Sequence, residues 1–136
     1  MMEKILREIG SRVAVPCSWG WDQRFGALLL VLHPAEADRM GTELEAAFDW
    51  AWEDELPRDN VPPLVGALVE FLSGFRTGQT LYCTAVDETT VVYATKWPWS
   101  AQPMVSLRLG VYHSRGLSGQ EDTGRLIKSI FNVSDE

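Results

Sequence analysis

"MVSLRLGVYH", residues 104–113, alternates apolar residues with polar or small ones along most of its length. One set is predicted to face one way (Val105, Leu107, Leu109 and Val111) and the other set the opposite way (Ser106, Arg108 and Gly110). This alternation is typical of a sheet with one covered face. Two further segments precede it, "QTLYCTAV" at 79–86 and "TTVVYATKW" at 89–97, both rich in β-branched and aromatic residues. We therefore predict three consecutive strands, which short connections make antiparallel.

The first part of the chain predicts one helix and one hairpin. A short amphipathic helix ends near Gly10 and carries its apolar residues at helical spacing (Ile5, Leu6 and Ile9). Alternating residues predict a half-buried strand over 13–19, with Pro16 at an edge or bulge. A turn follows at 20–23, and the nearly unbroken apolar run at 25–32 predicts an internal strand covered on both faces.

Three more helices are predicted in the remaining segments. "HPAEADRMGTELEAAFDWAWEDE", residues 33–55, has helical period, with a shared apolar face (Met40, Leu44, Ala47, Phe48 and Ala51). The prolines of "PRDNVPP" end it, and an apolar helix from about Pro62 to Phe75 should be the most buried. The last helix begins at Ser118, which is spaced for a capping box with Glu121 and is followed by apolar residues (Leu126, Ile127, Ile130 and Phe131).

These segments give the element order αββααβββα and an α+β fold. We predict a mainly antiparallel sheet of about five strands with about four helices packed on it. The length of 136 residues suits a single domain over 1–136, with a tail that frays from about residue 133.

The net charge of -7 is concentrated in one segment. Residues 36–55 contain eight acidic side chains and a single basic one, Arg39, while the acids and bases of the rest of the chain cancel. An acidic surface repels phosphate backbones and attracts basic partners. We expect a basic protein or peptide as partner, and no nucleic acid.

Neither a signal peptide nor a membrane span is indicated by the sequence. The first residues mix charges, and the longest apolar run, 25–32, is far shorter than the ~20 residues of a membrane helix. With only Cys17 and Cys83, a disulfide scaffold is not expected, although the sequence leaves open whether the two lie near each other. A cytoplasmic protein without membrane contact is predicted.

No motif in the chain predicts catalysis, a metal or a cofactor. Each of the two histidines, His33 and His113, closes a predicted strand, and neither Cys17 nor Cys83 has a nucleophile signature. Zinc sites need closely paired cysteine or histidine ligands, and calcium loops need a ladder of oxygen ligands around a glycine. Cys83 is predicted to pack mid-strand as a small apolar residue.

All six tryptophans occur in pairs separated by one residue. In the extended segment "KWPWS" at 96–100, Trp97 and Trp99 should act on one side, with Trp97 packed on the sheet. In the predicted acidic helix, Trp50 and Trp52 are about 200° apart and should point in opposite directions. Exposed indoles beside charges are common interface anchors. The predicted partner-binding residues are therefore Glu45, Asp49, Trp50, Glu53 and Trp99.

Three hypotheses of function follow. The leading one is a small acidic, non-catalytic binding protein that holds a protein or peptide, in the manner of a secretion or peptide-binding chaperone, and that could also form a homodimer. The second is an immunity protein that neutralises a basic toxin. The third is an enzyme or small-ligand receptor whose tryptophan-lined pocket has polar help from His113, Arg108 or Tyr93.

Overall fold

An antiparallel sheet lies at the centre of the molecule. A computed structural model describes residues 2–13, 19–57, 61–114 and 120–133. Within these residues the strands are β1 (Gly20–Asp22), β2 (Ala27–Leu32), β3 (Trp50–Glu53), β4 (Thr80–Ala85), β5 (Thr90–Pro98) and β6 (Val105–His113). The helices are α1 (Met2–Arg12), α2 (Pro34–Ala47), α3 (Pro63–Phe71) and α4 (Gln120–Ile130). The sheet order is β1-β2-β6-β5-β4-β3, which confirms the predicted α+β fold with six strands rather than about five.

The two faces of the sheet carry separate apolar cores. The predicted apolar side of β6 is confirmed, because Leu107, Leu109 and Val111 all lie in the core that α1, α2 and α4 cover. The expectation of only one covered face is wrong, since Ser106 and Gly110 on the other side of β6 are buried too. The opposite face is covered by α3, through Val65, Leu68 and Leu72. We call these the three-helix face and the α3 face.

The run at 25–32 is internal, as predicted, because β2 pairs with β1 on one side and β6 on the other. Its coverage on the α3 face is incomplete, and Val31 is 43% exposed. With nine residues, α3 is ~14 Å long and cannot cover a sheet whose six strands span ~24 Å.

The predicted hairpin near the amino terminus is placed differently. Strand β1 occupies Gly20–Asp22, where a turn was expected, and α1 continues past Gly10 to Arg12. Gly10 marks a close contact rather than a helix end, since a Cβ there would lie 3.5 Å from the Phe131 ring. The predicted strand over 13–19, with Pro16 and Cys17, falls largely outside the described residues, although Val13 is buried directly after α1.

The prediction of one long acidic helix over 33–55 is wrong. Helix α2 ends at Ala47, and the Asp49 N–H donates to the Thr84 hydroxyl of β4 (3.0 Å). The chain then pairs with β4 as strand β3, which places Trp50 opposite Cys83 and Trp52 opposite Leu81. Because alternate residues of a strand share a face, Trp50 and Trp52 lie on the same side and do not point apart.

Helix α3 is less enclosed than its composition predicts. Leu68 is fully buried, as expected, but the outer side of the helix is open, and Phe71 is 36% exposed. The helix ends at Phe71, earlier than the predicted Phe75, because Ser73 and Gly74 both have positive φ, which a continuing helix does not allow. The capping box predicted at Ser118 and the frayed tail beyond Val133 lie outside what the structure describes.

Candidate functional site

Strand β3 forms one edge of the sheet. Its register with β4 shows which of its main-chain groups bond β4 and which point away from the sheet. The Asp54 N–H donates to the Gln79 carbonyl (2.9 Å), just beyond the last pair of the β3–β4 ladder. In an antiparallel ladder every second residue bonds the partner strand, so Trp50 and Trp52 bond β4. The main-chain groups of Ala51 and Glu53 consequently point away from the sheet.

These outward groups have almost no partners among the described residues. The Glu53 carbonyl accepts the Glu55 N–H (2.7 Å), whereas no described group bonds the Ala51 N–H, the Ala51 carbonyl or the Glu53 N–H. Both Ala51 and Glu53 are exposed. An edge of this kind is able to pair with another extended chain.

On the α3 face, this edge presents two stacked indoles. The rings of Trp50 and Trp52 are nearly parallel, 11° apart, with centroids separated by 6.4 Å. Trp52 is half-buried against the core beneath α3, whereas Trp50 is 37% exposed. The core therefore supports Trp52, which stacks against Trp50. The exposed part of the pair offers an apolar, polarisable surface to solvent.

On the three-helix face, the same edge carries carboxylates. Burial, together with the nearby charges of Glu45 and Glu53, raises the pKa of Tyr82 to about 12. The carboxylates of Glu45 on α2 and Glu53 on β3 thus both influence the Tyr82 hydroxyl, although the two residues are far apart in the helix that the sequence predicted. The Lys96 ammonium also lies near Tyr82. A Cβ placed on Gly41 would be 2.7 Å from Lys96 Nζ and 3.2 Å from the Tyr82 hydroxyl, so Lys96 adds a positive charge to this cluster.

Four of the five predicted partner-binding residues therefore belong to one surface, which we call the β3 edge site. Glu45, Asp49, Trp50 and Glu53 are all exposed and lie on α2, on β3 or in the connection between them. Sequence reasoning missed Ala51 and Trp52, which complete the site. Their signal was the alternation of "WAWE", which favours a strand as much as a helix edge.

The fifth residue, Trp99, lies elsewhere. It follows β5 and is 42% exposed, and its Nε1 donates to the Ser106 hydroxyl of β6 (2.7 Å). Strand β6 is three strands from β3, which is about 14 Å across the sheet. Trp99 and the exposed Val31 are therefore both neighbours of Ser106, away from the β3 edge site.

The residues considered for a catalytic pocket are divided between the two faces of the sheet, with His113 on one face and Arg108 and Tyr93 on the other. His113 lies on the three-helix face, where Thr90 and Thr123 hydroxyls contact its two ring nitrogens (3.3 and 3.0 Å). Arg108 and Tyr93 lie on the α3 face. Tyr93 is fully buried, and desolvation together with the charge of Asp22 raises its pKa, against the lowering effect of Arg108.

Arg108 is already engaged in the structure. Its Nε donates to Asp22 Oδ2 (2.7 Å), and its guanidinium lies 4.5 Å from the Trp97 ring centroid. Burial acts to raise the pKa of Asp22, but the hydrogen bond and charge of Arg108, together with the N–H groups of Phe25 and Arg24, outweigh it and lower that pKa. The pair therefore fastens β1 to β6 and supports Trp97.

A small cleft lies between α3 and the sheet. Its lining is mainly apolar (Val69, Leu72, Phe75, Leu81 and Trp97), with Gln79, Thr80 and Thr95 as polar members. The Thr95 hydroxyl is buried without a hydrogen-bond partner. The cleft contains no nucleophile or paired acid and base, so its geometry does not indicate a reaction.

The described residues offer neither a metal-ion site nor a membrane-spanning helix. They contain no cluster of three histidine, cysteine or acidic side chains that could hold a metal ion. Among the helices described, none is long and apolar enough to cross a membrane.

Cys83 is fully buried, as predicted, and desolvation raises its pKa to about 12.

Comparison with known proteins gives no family assignment: no protein-family model matches the chain, and no curated protein or solved structure matches it.

Proposed function

We propose that this protein is a small, acidic, non-catalytic binding protein of the cytoplasm that holds a protein or peptide with a basic surface. The observation that carries the proposal is the β3 edge site, where two stacked indoles and two carboxylates flank a strand whose Ala51 N–H, Ala51 carbonyl and Glu53 N–H bond no described group. The role is similar to that of a chaperone, which shields a segment of its partner.

The chemistry of the site supports a basic partner. A half-exposed tryptophan on a fixed support loses little conformational freedom when it is covered, which is why such residues are common anchors of interfaces. The carboxylates of residues 36–55 speed the approach of a positively charged surface and disfavour nucleic acid.

Charge reversal tests this proposal. Affinity capture with the unchanged chain should identify a basic partner, and association kinetics should then be measured for the Asp49→Lys/Glu53→Lys variant. We expect association to slow by at least about tenfold and to lose most of its salt dependence, because exposed interface charges act chiefly on the association rate.

A matched control has the same total charge change at a distance from β3. Glu8 and Glu88 are both exposed, on α1 and in the turn between β4 and β5. The Glu8→Lys/Glu88→Lys variant should associate nearly as fast as the unchanged chain. Equal rates for both double variants would remove the β3 edge site from the proposed function.

A further inference from the structure

We propose that β3 binds its partner by strand addition, and that the bound segment alternates basic and apolar residues. This inference rests on the proposed function and specifies its partner. The segment lies beside β3 as a seventh strand, with its main chain bonded to Ala51 and Glu53. Its basic side chains face Glu45 and Glu53, and its apolar side chains face Trp50 and Trp52.

The main-chain part of the inference follows from the register. Trp50 and Trp52 use their amide and carbonyl groups on β4, so the outward groups belong to Ala51 and Glu53. An extended peptide that docks at a sheet edge gains affinity from such groups, whatever its sequence. Strand β3 also lacks proline and lysine, two residues that often block the edges of natural sheets.

The side-chain part follows from the two faces of β3. Residues of an added strand alternate between the faces, as those of β3 do. On one face they would contact the stacked rings of Trp50 and Trp52, and on the other the carboxylates that surround Tyr82. Lys96 offsets part of that negative charge, but Asp49, Asp54 and Glu55 add to it at the same edge.

Charge also argues against a second copy of this chain as the occupant. Pairing β3 with β3 would bring two copies of Glu53 and its acidic neighbours together, and like charges on adjacent strands destabilise a sheet. A basic segment from another protein relieves this repulsion. The negative edge thus selects against self-pairing and in favour of a basic strand.

The test uses two peptides of about eight residues, a length typical of strands. One alternates lysine with valine, and the other has the same composition with its lysines and valines in two blocks. The alternating peptide should bind at least about tenfold more tightly. Hydrogen exchange should slow by at least about tenfold at the Ala51 and Glu53 amides, and much less at Trp50 and Trp52, whose amides already bond β4.

Ala51→Pro provides a second test, because proline removes the outward N–H without removing a bond to β4. We expect this variant to keep its melting temperature within a few degrees and to lose most of its affinity for the alternating peptide. The matched control, Ala51→Val, keeps the N–H and should bind like the unchanged chain.

Three outcomes would overturn strand addition. If Asp49→Lys/Glu53→Lys weakens peptide binding while exchange at Ala51 and Glu53 stays fast, the proposed function survives but the binding mode is wrong. If neither peptide binds the unchanged chain, the proposed partner segment is wrong. If the same two amides slow with rising protein concentration and no peptide, the occupant is a second copy of the chain.

Discussion

At the scale of single residues, Trp97 and Trp99 are two positions apart but have different surroundings. Trp97 is half-buried on β5, where its ring meets the Phe25 ring edge-on, with centroids 5.6 Å apart, and supports the Arg108 guanidinium. Trp99 has one hydrogen bond, to Ser106, and is 42% exposed. The sequence predicted this difference because the proline between the two indoles ends the strand.

Truncation should separate the two indoles. Trp97→Ala should reduce the free energy of unfolding by about 2 to 3 kcal/mol, less than for an enclosed tryptophan because the ring is only partly buried. Trp99→Ala removes one hydrogen bond at the surface and should cost about 0.5 to 1 kcal/mol. Denaturant titration measures both, and equal losses would mean that both rings belong to the core.

We expect Trp99 and Trp50 to contact different partner surfaces. The two indoles are separated by the width of several strands, so Trp99→Ala should leave binding at the β3 edge site unchanged. The sequence grouped them because both stand beside polar residues, and only the sheet order separates them.

At the scale of elements, the acidic segment forms the helix that its local pattern predicts over only part of its length. Residues 34–47 form the predicted helix, but "WAWE" joins the sheet, where Trp52 packs against the core beneath α3. A helix would leave Trp50 in water and would leave Leu81 and Cys83 with a strand neighbour on one side only, that of β5. The β4 residues that pair with β3 lie more than 25 positions away in the sequence. A prediction from neighbouring residues therefore cannot include the interaction that makes this segment a strand.

The glycines of two helices offer a matched test of helix packing. A Cβ on Gly66 of α3 would meet nothing within 4 Å, so Gly66→Ala should stabilise the fold by about 0.5 to 1 kcal/mol through helix propensity. On Gly41 of α2 the same atom would lie 2.7 Å from Lys96 Nζ. Gly41→Ala should therefore gain little or nothing, because Lys96 and Tyr82 have to move.

Urea unfolding of both variants measures the difference. Equal stabilisation would show that Lys96 moves aside freely and that Gly41 is not needed for the cluster beneath α2. Destabilisation by Gly66→Ala would contradict the open outer side of α3.

At the scale of the whole molecule, the buried Tyr82 hydroxyl and Cys83 thiol of β4 predict loss of stability at alkaline pH. Burial raises the pKa of Cys83 and of Tyr82 to about 12, and Glu45 and Glu53 contribute at Tyr82. The unfolded chain releases these protons at lower pH, near the ordinary values of about 8.5 and 10. Stability should be fully present below about pH 8.5 and fall as the pH rises toward 12, because the unfolded state binds fewer protons there.

Unfolding titrations between about pH 7 and 11 measure this loss. Tyr82→Phe removes one of the ionising groups, so its stability should fall less steeply above about pH 10 than that of the unchanged chain. A free energy of unfolding that is constant across this range would contradict the burial of these groups.

The sequence by itself determined the antiparallel sheet, the internal position of β2, the apolar side of β6 and the concentration of acid in one segment. These follow from local chemistry, since strand periodicity, proline stops and charge are all visible within a few residues. Only the tertiary structure decided that Trp50 and Trp52 stack on an edge strand and that Glu45 and Glu53 meet around Tyr82. The physical reason is that both depend on the pairing of β3 with β4, whose energy comes from residues distant in the chain.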